Sequence, residues 1–167
     1  MTQVFFNGDW VAPEQAKVSV FDRGFLFGDG VYEVIPAFNK KLFGAADHLT
    51  RLARSLAEID IINPLTDAQW HAVLDRLVAE CDSDDVSIYI QVSRGTPPKR
   101  DHAYPNPPVA PTVLASASPI APVSPAIREQ GARAITVPDW RWQRCDIKSV
   151  NLLPNICLLY TSPSPRD

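Results

Sequence analysis

No stretch of this 167-residue chain comes near the roughly 18 consecutive apolar residues that a membrane-spanning helix needs. Basic residues are not in excess either: sixteen Lys and Arg stand against nineteen Asp and Glu, a formal charge of −3. Nucleic-acid grooves and membrane surfaces both draw on a basic surplus, so neither is the expected partner. Cysteines are few and odd in number, Cys81, Cys145 and Cys157, and their spacing is not that of a metal site. This argues for free thiols in a reducing cytoplasm, with no metal. The segment after Met1, TQVFFNGDW, lacks a basic start and a long apolar stretch, so no secretory signal is read there.

What the chain does have is apolar residues (46%) and sixteen prolines. The first is enough for a packed core in one domain, or in one domain and part of another. The second crowd into residues 97–125 and again after 153, where they mark connections. Asn7-Gly8 between apolar residues signals a hairpin. VSVFDRGFLFGDG reads as a glycine-punctuated loop, and 31–43 as two strands around Asn39-Lys40. On the first of these, Val31, Glu33 and Ile35 share one face and Tyr32, Val34 and Pro36 the other.

The period then changes. Leu49, Leu52, Ala53, Leu56 and Ile59 recur at helical spacing. A second helix follows the capping box Thr66-x-x-Gln69, with Trp70, Val73, Leu74, Leu77 and Val78 on its apolar stripe. VSIYIQVS (86–93) alternates as a half-buried strand, TVLASAS is another, and ARAITVPDW reads as the first strand of something new. Strands, two helices, then strands predict an α+β first domain over residues 1–117, with a linker at 118–125.

Four places could carry chemistry. Lys148, in CDIKSVNLL, is either a solvated surface lysine or a nucleophilic amine at a strand-to-helix junction, with the helix starting at Ser149. Arg51, beside the apolar stripe of its helix, either covers apolar surface with its stem or offers a fork to a phosphate or carboxylate. Arg94, Lys99, Arg100 and His102 lie in the proline-rich RGTPPKRDHAYP, which is either a solvated basic loop or an anion trap. Tyr32 could hydrogen-bond within the core or reach a ligand.

DRGFLFGDGVYEVIPAFNKKLFGAADHLTRLARSL, QVSRGTPPKRDHAYP and RCDIKSVNLLPN, in this order and spacing, resemble the class IV (fold-type IV) pyridoxal-phosphate aminotransferases, and within them the D-amino-acid branch. The resemblance covers residues 3–156. It implies an N-terminal α+β domain, the start of a C-terminal cofactor domain at 126–156, a homodimer, and transamination of D-amino acids such as D-alanine with 2-oxo acids such as 2-oxoglutarate. Lys148 then matches the Schiff-base lysine that also shuttles the proton, and Arg51 the residue that grips the phosphate of pyridoxal 5'-phosphate. Tyr32 matches a tyrosine at the substrate carboxylate, and Arg100 and His102 the R-x-H pair that binds that carboxylate, characteristically from the partner subunit. Branched-chain aminotransferase and aminodeoxychorismate lyase are the alternatives within the family, and KRDH argues against both. A non-catalytic fragment is the alternative of another class.

The last segment departs from the pattern. CLLYTSPSPRD puts Pro163 and Pro165 where the family continues as a helix. It also back-translates as the transposase end and adaptor of a sequencing library, so residues 157–167 are expected to be non-native. The acidic partner of the pyridine nitrogen and the rest of the phosphate cup would then follow residue 156 in the natural gene. The 167-residue chain by itself is expected to be inactive.

Overall fold

The computed structural model describes residues 3–132, 134–139 and 141–161, in two compact units. The first holds residues up to Ile120 together with Asp146–Val150. Its frame is one six-stranded antiparallel sheet. The strands are β1 (Val4–Phe6), β2 (Asp9–Val11), β3 (Gly30–Phe38), β4 (Lys41–Leu42), β5 (Val86–Ser93) and β6 (Thr112–Pro119), in the order β2-β1-β6-β5-β3-β4. Asn7 (φ 51°) and Gly8 (φ 99°) make the β1–β2 turn with two positive φ angles, as the primed hairpin turns require. β6 runs to Pro119, past the expected boundary at 117.

One sheet face is the core. Val31, Glu33, Ile35 and Ala37 of β3 stand opposite Val92, Ile90, Ile88 and Val86 of β5, and all eight are fully buried. Two helices cover this face, α2 (Ala45–Ala57) and α3 (Asp67–Glu80). α2 buries Leu49, Leu52 and Leu56 as its spacing predicts, but Ala53 is exposed and Ser55 is buried in its place. α3 buries all five expected residues, and the indole N–H of Trp70 donates to Asn63 Oδ1 at 3.0 Å. Its capping box forms in both directions. A cap is worth about 1 kcal/mol, whereas each large apolar side chain buried is worth about 1.5–3 kcal/mol. Burial therefore holds α3 in place, and the cap sets where it starts.

Three further expectations differ from the structure. The 21–29 loop contains a short helix, α1 (Arg23–Phe27), because Asp22 accepts the Gly24 N–H and Gly28 closes the turn in the left-handed region. No helix starts at Ser149; that residue instead forms a bridge with Val31. The described residues of 132–139 form no strand. An isolated extended segment leaves its donors unpaired, and no other described segment of its unit offers a strand edge.

The second unit comprises Ala121–Cys145 and the residues from Asn151 onward. It contains α4 (Pro125–Gln130), capped by Ser124 Oγ, and α5 (Leu153–Thr161). Pro163 and Pro165 lie outside the described residues. Among the described residues no helix is long and apolar enough to cross a membrane.

Candidate active site

The outer edge of β3 is paired by β4 only at Ala37 and Phe38. At the other end of the strand, residues 147–150 take the vacant edge. Tyr32 N donates to Lys148 O at 2.9 Å, Val150 N donates to Gly30 O at 3.1 Å, and Val31 bridges Ser149. Ile147 is anchored in the core, Lys148 N donates to Ser55 Oγ at 3.4 Å, and Arg54 Nη2 donates to Asp146 O at 2.8 Å. The backbone of Lys148 is thereby fixed on three sides. Its half-buried side chain lies over Tyr32, with Nζ 4.1 Å from the ring centroid. No carboxylate among the described residues pairs with this amine. Tyr32 also stacks 5.9 Å from Tyr89 on the sheet face away from the helices. Burial, then the neighbouring Tyr32, pushes the Tyr89 phenol upward, so it stays a neutral donor to Gln91 Oε1 at 2.7 Å.

On the core face, one residue along from Tyr32, sits the carboxylate of Glu33. It is fully buried and receives Arg51 Nε at 2.6 Å, Arg51 Nη2 at 2.7 Å and His48 Nδ1 at 2.8 Å, both partners coming from α2. Burial alone would raise this carboxyl; the hydrogen bonds and charges of Arg51 and His48 more than offset that and hold it below its ordinary value. Glu33 in turn raises Arg51. An ionised Glu33 needs a proton on His48 Nδ1, so the 3.2 Å approach of Arg51 Nη2 to that nitrogen is a contact and not a hydrogen bond. The guanidinium gives one edge to Glu33. Its side chain is 43% exposed, which leaves the other edge open to an incoming anion. Ser55, which docks the Lys148 backbone, lies one turn further along α2.

The basic loop divides into structural and displayed residues. Arg94 is buried and spent: it donates to both oxygens of Asp29 (2.7 and 3.0 Å), to Ile59 O at 2.6 Å and to Asp60 O at 3.2 Å, and stacks 3.6 Å from the Tyr104 centroid. Lys99 is exposed beside Asp101 at 3.5 Å. Arg100 and His102 are exposed, and both lie on the ring of Phe27 from α1, at 4.8 and 5.3 Å. Lys148 and Tyr32 are thus in direct contact, and Arg51 joins them through its neighbour Glu33 and through Ser55. The contacts of Arg100 and His102 lead to α1 instead.

Sequence reasoning missed three residues. Glu33 was placed on the apolar face without a role, yet an acid among Val31 and Ile35 demands a partner, and His48-x-x-Arg51 offers two charges one turn apart. Arg23 and Asp29 lay in a segment read only as loop. Arg23 is buried, donating to Asp29 Oδ2 at 2.7 Å.

The family model for class IV amino-transferases matches residues 30–159. A D-alanine aminotransferase of Staphylococcus epidermidis is 45% identical over 156 residues, which is 93% of this chain and 55% of that protein. A D-alanine aminotransferase of Listeria monocytogenes is 42% identical over 154 residues, 92% of this chain and 53% of that protein. The chain therefore spans about half the length of the curated relatives it matches. Among solved structures, a hypothetical aminotransferase from Mycobacterium tuberculosis in its apo form matches with a TM-score of 0.71 at 22% identity, over 95% of this chain and 57% of that one. A branched-chain aminotransferase from Thermoproteus uzoniensis with norvaline matches with a TM-score of 0.62 at 26% identity, over 72% of this chain and 41% of that one.

Proposed function

The chain belongs to the class IV aminotransferases, and from that membership we propose that a protein of its relatives' full length transaminates D-amino acids such as D-alanine, with 2-oxo acids such as 2-oxoglutarate as acceptors. The substrate class comes from the named relatives. The observation that carries the chemistry is the Lys148 amine, uncommitted to any carboxylate among the described residues and held over Tyr32 by a fixed backbone.

The residues present fit pyridoxal 5'-phosphate. Lys148 offers an amine for covalent attachment, and Arg51 offers the open edge of a fork whose other edge Glu33 has already oriented. When bound, the cofactor supplies the electron sink that makes the substrate Cα–H acidic. With the cofactor held there, Lys148 Nζ would take the proton from that Cα and pass it to C4′ of the cofactor. Arg51 neutralises phosphate charge, and its bidentate hold on Glu33 keeps it from reorienting as it does so. Tyr32, Arg100 and His102 receive the substrate carboxylate, with the loop supplied across a homodimer. The free thiols of Cys81 and Cys145 suit a cytoplasmic enzyme.

The test uses the protein expressed from its native locus at full length. D-Alanine and 2-oxoglutarate should yield pyruvate. Borohydride reduction should fix the cofactor to the peptide containing Lys148, and Lys148→Ala should abolish both signals. Turnover of L-alanine alone, or a label on another lysine, overturns the reading.

A further inference from the structure

Six of the fifteen residues in the 97–111 loop are prolines, which carry no backbone N–H. Such a loop has fewer donors of its own for its carbonyls, so donors from elsewhere have a larger part in holding its shape. The donor at its centre is Arg23. Its Nη1 donates to the carbonyls of Asp101 and Ala103, the latter at 3.1 Å, and its Nη2 donates to the carbonyl of His102 at 3.1 Å. Three consecutive carbonyls, those of the residue between the R-x-H pair, of the histidine and of the residue after it, thus meet a single guanidinium that is only 4% exposed.

The fork is itself oriented. Arg23 Nε donates to Asp29 Oδ2 at 2.7 Å, and the same oxygen receives Arg94 Nε at 2.7 Å. Burial would raise the Asp29 carboxyl, but the hydrogen bonds and charges of Arg94 and Arg23 outweigh it and keep it ionised. The backbone closes the assembly: Arg23 N donates to Gly95 O at 3.0 Å, and Arg94 N donates to Asp29 O at 3.1 Å. One turn along α1 from Arg23, the ring of Phe27 receives three of these side chains, Arg23 at 4.9 Å, Arg100 at 4.8 Å and His102 at 5.3 Å. The short helix therefore holds the loop backbone with one residue and seats its displayed cation and imidazole with another.

We propose that Arg23, anchored by Asp29, is a positioning residue for substrate binding: it sets where Arg100 and His102 stand and thereby the affinity for the substrate carboxylate. This rests on the reading of Arg100 and His102 as carboxylate ligands. Arg23 touches no substrate; it acts through the loop. A lysine cannot replace it, because a point charge with three donors does not span three carbonyls and a carboxylate.

The experiment compares the full-length protein with Arg23→Lys, Phe27→Leu and Arg100→Ala. Arg23→Lys should raise KM for D-alanine roughly 10- to 100-fold, the scale of losses from small misplacements, with kcat and bound cofactor little changed. Amide exchange across residues 99–104 should quicken in the same variant. Phe27→Leu, which leaves the fork intact, should move KM in the same direction by less, and it carries the test if Arg23→Lys does not fold. An Arg100→Ala protein with raised KM beside Arg23→Lys and Phe27→Leu proteins with normal KM overturns the inference. A normal KM in Arg100→Ala itself overturns the carboxylate reading beneath it.

Discussion

A charged carboxylate facing Ile90 across a sheet core is costly to bury unless its charge is paired and hydrogen-bonded. Glu33 meets that condition through Arg51 and His48 and is held below its ordinary value, which links it to pH. A group whose folded value lies below its unfolded value binds fewer protons when folded, so its stabilisation is complete above the unfolded value of about 4.3. The contribution fades as pH falls through the lower folded value. Asp29, depressed by Arg94 and Arg23 against its own burial, acts in the same sense. We therefore expect urea midpoints that are level near neutrality and fall steeply below about pH 4. Glu33→Gln should lower the neutral midpoint and flatten that acid fall. An acid fall of unchanged steepness in Glu33→Gln would show that other carboxylates govern it. At this scale the sequence told only part of the story. Alternation put Glu33 on the core face, but its partners lie on another element, and only tertiary packing brings α2 over β3. Tyr32 and Lys148, far apart in the chain, meet through an edge pairing that no local pattern announces.

At the scale of elements, legibility followed the strength of the period. α3 and β5 have unbroken apolar stripes and came out as read, whereas α2 ends at Ala57, before Ile59, and buries Ser55 where Ala53 was expected. α1 was missed because its five residues carry no stripe at all; a side-chain cap and a closing glycine make it. Residues 132–139 have strand composition, yet the described ones among them form no strand, because β structure is a property of pairs. The loop after β5 depends on one backbone position. Gly95 has φ +94°, and a Cβ there would lie 1.9 Å from the Ala110 carbonyl oxygen. It is also the residue whose carbonyl receives Arg23 N. Gly95→Ala should cost about 3 kcal/mol, within the range for strain and overpacking together. It should also open residues 97–111 to limited proteolysis under conditions where wild type resists. Resistance equal to wild type would mean that the loop relaxes around the methyl group and that its hold does not depend on Gly95.

For the molecule as a whole, the two units differ in how they treat apolar surface. The first buries a continuous core between one sheet face and two helices, and Ile147 belongs to it although it lies beyond residue 145 in the chain. The second leaves Val123, Ile127, Ile135, Trp142, Leu153 and Ile156 exposed, each at 43% or more. Single exposed apolar residues are ordinary, but this many within about forty residues form surface that a soluble monomer rarely leaves open. The relatives are about twice as long as the stretch this chain matches, and further chain is a ready source of cover. The 167-residue chain should therefore bind a hydrophobic dye such as ANS, elute larger than a monomer, and show no transamination. Replacing Ile127, Ile135 and Trp142 together by Ser should remove most of the dye signal without restoring activity. The full-length protein should bind little dye with its native sequence intact. If the triple variant kept its dye binding, the open surface would lie on Val123, Leu153 and Ile156 of the second unit or on the first unit, where Val20, Phe25 and Ile62 are exposed. Substituting each set in turn would then show which one further chain must cover.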